Sequence, residues 1–299
     1  MNSIVAVVVT YNRKVLLKEC IEALLSLEKD ICDVLIIDNA STDNTKEYIL
    51  EYIENQKIMY HCTEKNLGGA GGFHVGMEMA VNMGYSYVWI MDDDTIVRKD
   101  TLHQLMKADK KLDGNYGFLS SIAYWTDGSL CNMNRQKVSM NGKLENFEGN
   151  IAEVIMATFV SFFVKADTIR KVGLPISEFF IWADDLEYSR RISKDMPCYA
   201  VLQSKVLHKM GSNAKVGIEQ ESKDRLWRYK YLYRNEVYVF RREGLKGYMY
   251  LFLRVALHCV KVLLKSDHSK MHKLKVLLCS FISGFSFHPQ IEYVKEVKK

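Results

Sequence analysis

Apolar runs of strand length alternating with stretches of helical periodicity predict an α/β protein built on a doubly wound sheet. Three observations carry this. "SIVAVVVT", "DVLIID" and "YVWIMD" are continuous apolar runs, the pattern of strands buried on both faces. The segments between them space their apolar residues as helices do, which implies right-handed parallel crossovers. Nearly half of the 299 residues are apolar, only three are proline and no low-complexity tract occurs, so a sizeable ordered core is available.

Taken in order, "SIVAVVVT" is the first strand, "KVLLKECIEALLSL" a helix and "DVLIID" the second strand. "TKEYILEYIE" reads as a helix with Asp43 or Asn44 as its N-cap. "KIMYHC" is a strand, "GFHVGMEMAVNMG" a helix and "YVWIMD" the fourth strand. Residues 117–150 read as short strands and turns, and "EVIMATFVSFFVKADTIRKVG" as a strand with a short helix. "FFIWADDLEYSRRISKDM" contains a helix, followed by "CYAVL" and "KVLHKMG" as two strands. From residue 217 onward the pattern is helical, which sets a soft boundary between residues 1–216 and 217–299.

The seven cysteines are odd in number and form no C-x-x-C pair, which argues against a disulfide framework or a zinc site and fits a reducing compartment. The start "MNSIVAVVVTYNRK" has no basic n-region and only a short apolar run, so it reads as a strand and not as a signal peptide. The net charge of +5 is modest but uneven, with Lys and Arg concentrated in residues 217–299. That distribution suggests a basic surface facing phosphate or an anionic membrane, and nucleic acid is not expected as a partner.

The unusual polar stretches follow the strands: "TYNR", "DNASTDN", "TEKNLGGAGG" and "DDDT". In a doubly wound sheet all four converge on the carboxyl edge, where such folds bind ligands. Asp92 and Asp94, two apart in a tight turn, can point together at a hard divalent cation, Mg²⁺ or Mn²⁺. The bland reading is an acidic turn with Asp94 capping a helix near Lys99. In "NLGGAGGFHVG", four glycines between a strand and a helix free backbone N–H groups for an anion or a sugar. The dinucleotide fingerprint G-x-G-x-x-G fails there because its third glycine would fall on His74, which disfavours an oxidoreductase. Asp184, Asp185 and Glu187 gather at a helix start, where the helix dipole favours negative charge. Beside Phe179, Phe180 and Trp182 they can also supply a carboxylate that takes a proton from a hydroxyl. Trp182 serves equally as a sugar-stacking face or a core aromatic. His208 ends a late strand and is a candidate third metal ligand.

Together "VVVTYNR", "IIDNAST", "NLGGAGGF", "MDDD", "WADDLE" and the late histidine resemble the family 2 inverting glycosyltransferases of GT-A fold, most closely the bacterial galactofuranosyltransferases. The resemblance covers roughly residues 3–211. It implies a GT-A-type mixed sheet with a Rossmann-like nucleotide-binding half, followed by a C-terminal helical region. It also implies Thr10, Asn12 and Arg13 at the nucleotide, Asp38 at the uracil or ribose, and Asn66, Gly68 and Gly69 along the diphosphate and sugar. Asp92, Asp94 and His208 would hold Mn²⁺ or Mg²⁺, and Asp93 would help hold the donor. Asp185 would be the catalytic base, with Asp184, Glu187 and Trp182 toward the acceptor. In the family tryptophan directly precedes the two acids, whereas here Ala183 intervenes, so Asp184 and Asp185 both stay open as the base.

The implied reaction moves a sugar, galactofuranose from UDP-galactofuranose, onto a glycan or polyprenyl-linked glycan in surface polysaccharide synthesis. Rivals are a rhamnosyltransferase using dTDP-rhamnose and a catalytically silent nucleotide-sugar-binding or assembly protein. In "YMYLFLRVALHCVKVLLK", Arg254, His258, Lys261 and Lys265 recur at helical spacing and mark one polar stripe, which argues against a membrane span. The two readings are an amphipathic helix lying on an anionic membrane and a helix packed on the catalytic part with its stripe solvated. The expected location is the cytoplasm, peripheral on the inner face of the cell membrane.

Overall fold

The computed structural model describes residues 3–28, 30–214, 216–266 and 268–295. β1 (Ile4–Thr10) pairs in parallel with β2 (Asp33–Asp38) and β4 (Tyr87–Asp92), and β3 (Met59–Cys62) extends the sheet beyond β2. The remaining strands are β5 (Thr95–Val97), β6 (Phe118–Tyr124), β7 (Ile151–Glu153), β8 (Phe162–Lys165) and β9 (Tyr199–His208). The strand order is β3-β2-β1-β4-β8-β6-β9-β5, with β7 also on β9. Beyond β4 the sheet becomes mixed: β8 runs antiparallel to β4 and β6, and β5 antiparallel to β9.

Strand side chains alternate between faces, and β1 shows the consequence. Val5, Val7 and Val9 join one core with Phe73 and Met77 of α4 (Gly68–Asn82) and Tyr188 of α7 (Asp184–Ser193). Ile4, Ala6 and Val8 join another with Leu17 and Ile21 of α1 (Lys14–Leu25) and Leu102 of α5 (Thr101–Lys111). Shorter helices complete the layers: α2 (Thr45–Tyr48), α3 (Leu50–Glu54) and α6 (Ala166–Val172).

Local readings needed revision in four places. "TKEYILEYIE" breaks at Ile49 into α2 and α3, and its cap residue Asn44 is left-handed with no side-chain capping bond. Asp43 accepts instead from the Thr45 hydroxyl. "CYAVL" and "KVLHKMG" form one strand, β9, whose register against β6 shifts between Ser121 and Ile122. Asp94 caps no helix but turns the chain into β5. The glycine segment is helical from Gly68 onward, despite glycine's low propensity. Its small residues let α4 lie close on the sheet: a Cβ on Gly76 would sit 2.4 Å from Val7 Cγ1 and 2.9 Å from Ile37 Cγ1.

The C-terminal helices α8 (Trp227–Arg241), α9 (Gly244–Lys265) and α10 (Lys270–Ser286) build a third core that includes Ala70, Ile176 and Phe179. The expected basic stripe on α9 is turned partly inward. Arg254 pairs with Glu236 at 2.8 Å, its side chain 19% exposed, and His258 Nδ1 meets the Tyr233 hydroxyl at 2.8 Å. Much of what α9 presents outward is apolar, including Leu245, Met249, Phe252, Leu253, Leu257 and Leu264, with Lys246, Lys261 and Lys265 exposed beside them. Periodicity defines a stripe but does not say which stripe meets the core, and a guanidinium can be taken inside where a glutamate pairs with it closely enough to offset its desolvation.

Gly76→Ala is expected to lower the denaturation midpoint, by about 1–3 kcal/mol of stability, because two branched core side chains must give way. An unchanged midpoint in chemical denaturation would contradict this close packing.

Candidate active site

The register of the parallel strands brings the predicted loops to one edge. Thr10 lies opposite Asp38, Val9 opposite Asp92, and Asp38 opposite Cys62. β1, β2, β3 and β4 therefore end side by side, and their polar residues share the carboxyl edge of the sheet.

Asp92 closes β4, Asp93 and Asp94 make the turn, and β5 follows at once. β5 pairs with β9 so that Thr95 faces His208, which returns the late histidine to the aspartates. One ligand atom from each of Asp92, Asp94 and His208 lies within 4.8 Å of the others. His208 Nε2 is 2.8 Å from Asp94 Oδ1, and its Nδ1 is 2.9 Å from Asn134 Oδ1. Thr10 donates its hydroxyl to Asp93 at 2.7 Å, and Arg13 donates to Asp93 at 3.3 Å and to Asp94 at 2.8 Å.

Burial and mutual repulsion raise two of the three carboxyls. Asp92 is pushed up to about 6 by burial and the neighbouring Asp94 charge. Asp93 rises to about 7, its burial outweighing the help of Arg13. Asp94 moves the other way: its burial is outweighed by the hydrogen bond and charge of His208 and by Arg13, so it lies below its usual value. For His208, burial is overcome by its bond to Asp94, and its pKa rises to about 10. Two carboxylates and an imidazole, gathered where negative charge is in surplus, fit a divalent cation of the Mg²⁺ or Mn²⁺ type, which would take the place of the imidazole proton.

The other donor-side residues are placed as follows. Asn12, at φ 55°, accepts from the Thr42 backbone N–H at 2.7 Å. Asp38 is buried and accepts from the Tyr60 hydroxyl at 2.7 Å and the Ser41 N–H at 2.8 Å. Asn66 accepts from the Gly68 N–H at 2.8 Å, and Asn39 donates to the Gly68 carbonyl at 2.9 Å. Gly68 has φ +72°, and a Cβ there would lie 2.1 Å from the Phe180 carbonyl oxygen, whereas Gly69 faces open space. Arg13 thus spends one guanidinium nitrogen, Nη1, on the aspartates, and Asp38 has both oxygens engaged.

α7 begins at Asp184 on the same side of the molecule. Asp184 is raised well above the usual carboxyl range by burial and by Asp185 beside it. Asp185, which accepts from the Leu186 N–H at 2.7 Å, is pushed up to about 6, mainly by burial. The charge of Asp92 also raises both, so the two acidic groups act within one electrostatic field. Glu187 gives both oxygens to Arg191 of its own helix, at 3.1 and 2.7 Å, and is 5% exposed. Trp182 packs edge-on against Tyr229 with centroids 5.1 Å apart.

Sequence reasoning missed Asn134, Tyr60, Asn39 and Asn235. The first three hold His208, Asp38 and Gly68, and Asn235 donates to three carbonyls just before Asp184. Asn39 lies in the quoted stretch "DNASTDN" but was not singled out there; the other three stand in no pattern that marks them, since each acts through a partner distant in the chain.

Comparison with known proteins bears on this geometry. Residues 5–168, more than half of the chain, match the glycosyl transferase family 2 domain. Galactofuranosyltransferase GlfT1 of Mycolicibacterium smegmatis is 26% identical over 260 residues, covering 81% of this chain and 84% of that protein. Staphylococcus aureus TarS (residues 1–349) shares the fold at TM-score 0.55 and 16% identity, over 96% of this chain and 72% of that one. GalNAc-T7, solved with UDP, GalNAc and Mn²⁺, superposes at TM-score 0.65 and 16% identity, over 95% of this chain and 56% of that one. With its mixed sheet and the acidic edge described above, the chain belongs to glycosyl transferase family 2 and is a glycosyltransferase of GT-A fold.

Proposed function

We propose that the enzyme transfers galactofuranose from UDP-galactofuranose, with inversion, to a hydroxyl of a lipid-linked glycan acceptor. The observation that carries the transfer itself is the meeting of Asp92, Asp94 and His208 within 4.8 Å at the sheet edge, in electrostatic reach of Asp184 and Asp185. The choice of sugar rests on the likeness to galactofuranosyltransferase GlfT1, which spans most of both chains.

Asp92, Asp94 and His208 would hold Mn²⁺ or Mg²⁺, which when bound neutralises charge on the nucleoside diphosphate as it leaves. Thr10 and Arg13 hold Asp93 at the metal centre's edge, beside the donor. Burial and the neighbouring Asp185 raise Asp184 well above the usual carboxyl range, whereas Asp185 rises only to about 6 and is the more readily ionised of the two. Of the two acids, Asp185 is therefore the base: it takes the acceptor hydroxyl proton as the new C–O bond forms and the bond to the diphosphate breaks. Asn12, Asp38, Asn66, Gly68 and Gly69 line the donor side, and Trp182 and Glu187 stiffen the acceptor wall.

Calorimetry with UDP checks the metal reading. Asp94→Ala is expected to weaken Mn²⁺-dependent UDP binding by more than the roughly tenfold that loss of an outer-shell partner costs. Full affinity in that variant would contradict the metal reading, and binding of dTDP in preference to UDP would contradict the choice of donor. The pH profile checks the base. Below its pKa, Asp185 keeps its proton and cannot accept another, so kcat/KM falls on the acid side with a midpoint at or below about 6. The midpoint moves lower when a cation neutralises Asp92. A midpoint well above that value, or activity retained in Asp185→Asn, removes Asp185 from the role.

We also read residues 217–299 as a helical region that seats the catalytic part, residues 1–216, on the cytoplasmic membrane face. α9 is long and apolar enough to cross a bilayer by length and composition. Its Arg254–Glu236 pair and His258–Tyr233 bond tie it to buried residues of α8, which favours lying in the interface over spanning. Exposed Lys246, Lys261 and Lys265 flank the outward apolar residues and suit anionic headgroups. Phe252→Asp with Leu257→Asp is expected to abolish sedimentation with phosphatidylglycerol vesicles while leaving turnover on a water-soluble acceptor unchanged. Undiminished sedimentation would overturn this reading.

A further inference from the structure

The chain enters α7 by an unusual path. Phe180 sits at φ 62° and ψ −59°, and the Ile181 N–H donates back to the Phe179 carbonyl at 2.7 Å. This is a γ-turn of the rare, positive-φ kind, on a bulky residue. Trp182 (φ 66°) and Ala183 (φ 65°, ψ 0°) are left-handed, and no side chain caps the helix start. Each such residue costs on the order of 1–3 kcal/mol and persists only where its surroundings over-determine it.

The surroundings do so from two sides. On one, the Ala70 N–H in the first turn of α4 donates to the Phe180 carbonyl at 3.2 Å, an approach that glycine at position 68 leaves open. On the other, Asn235 of α8 is fully buried. Its Nδ2 donates to the carbonyls of Phe179 at 2.9 Å, Ile181 at 3.2 Å and Trp182 at 2.9 Å. Its Oδ1 accepts from Arg234 Nε at 3.0 Å and Nη2 at 2.9 Å. The amide can face only one way: reversed, its oxygen would meet three carbonyl oxygens and its NH₂ a guanidinium.

We propose that Asn235 is a positioning residue for glycosyl transfer, holding the strained 179–183 segment so that Asp185 is aimed at the acceptor hydroxyl. The proposal rests on the reading of Asp185 as the base. Asn235 is buried, and its hydrogen bonds among the described residues go to loop carbonyls and to Arg234, so it acts through the loop. Its importance follows from geometry, because a misplacement of about 1 Å between reacting groups can cost on the order of a hundredfold in rate. The C-terminal helices thereby complete the acceptor side of the site.

The test is a double-mutant cycle on the full-length enzyme. Asn235→Ala should lower kcat by about tenfold to a hundredfold, leave Mn²⁺-dependent UDP affinity unchanged, and raise the ratio of donor hydrolysis to transfer. In an Asp185→Asn background the same substitution should cost nothing further, because the residue it acts through is gone. Full kcat in Asn235→Ala, an equal loss in both backgrounds, or a parallel loss of UDP affinity would each overturn the proposal. If Asn235→Ala fails to fold, Ala183→Gly relieves one left-handed residue and the cycle is run in that background. Full turnover in Asp185→Asn would instead sink the base assignment, a separate result read from the parent variant alone.

Discussion

Negative charge concentrated at one strand end is the constraint around which this molecule is arranged. Asp92, Asp93 and Asp94 stand together where β4 leaves the sheet, and like charges there cannot all ionise without partners. Arg13 from the end of β1 and His208 from the end of β9 supply two, and Thr10 supplies a hydrogen bond. Each partner arrives by a different route: a parallel neighbour, a tight turn, and an antiparallel pairing of residues over a hundred positions apart. The mixed part of the sheet has a clear purpose in these terms, since an all-parallel continuation would not bring His208 beside Thr95. Charge still in surplus after those contacts is what makes the edge receptive to a cation.

Much of this was legible in the sequence, and the reason is burial on both faces. β1, β2 and β4 are covered by helices on either side, so they read as unbroken apolar runs and place their following loops on one edge. Asp92, Asp94 and His208 could be picked out because they stand at the ends of apolar strands, beside other polar loops that converge on the same sheet edge. The helical start at Gly68 was not legible, because Gly68 and Gly72 answer to the nearness of Phe180 and of Val9 and Asn39, which only the folded chain supplies. β5 and the unbroken β9 were missed for a similar reason: both depend on pairing between distant segments. On α9 the spacing of the polar residues was right and their direction only half so: Lys261 and Lys265 are exposed, whereas Glu236 and Tyr233 draw Arg254 and His258 inward.

The helices after residue 217 are joined to the catalytic side by more than apolar contact. Arg190 and Lys194 of the α7 region both reach Glu243, Asn235 gathers carbonyls ahead of α7, and Ala70 lies in the same core as α8 and α10. α7 is thus held between the sheet, through Tyr188 and Ile192, and the helical bundle. The acids at its start owe their place to both.

The contact between position 68 and the Phe180 carbonyl also bears on how such a chain can change over generations. A side chain at 68 would enter the space of that carbonyl, and the turn at 180 is held where it is by Ala70 and, through its neighbours, by Asn235. No single exchange at position 68 is therefore neutral; it becomes tolerable only after the turn has shifted, and the turn cannot shift while its donors remain. Positions 68, 180 and 235 are thus bound to one another through a single turn, so that an exchange at one changes what the other two can accept, even though they are far apart in the chain.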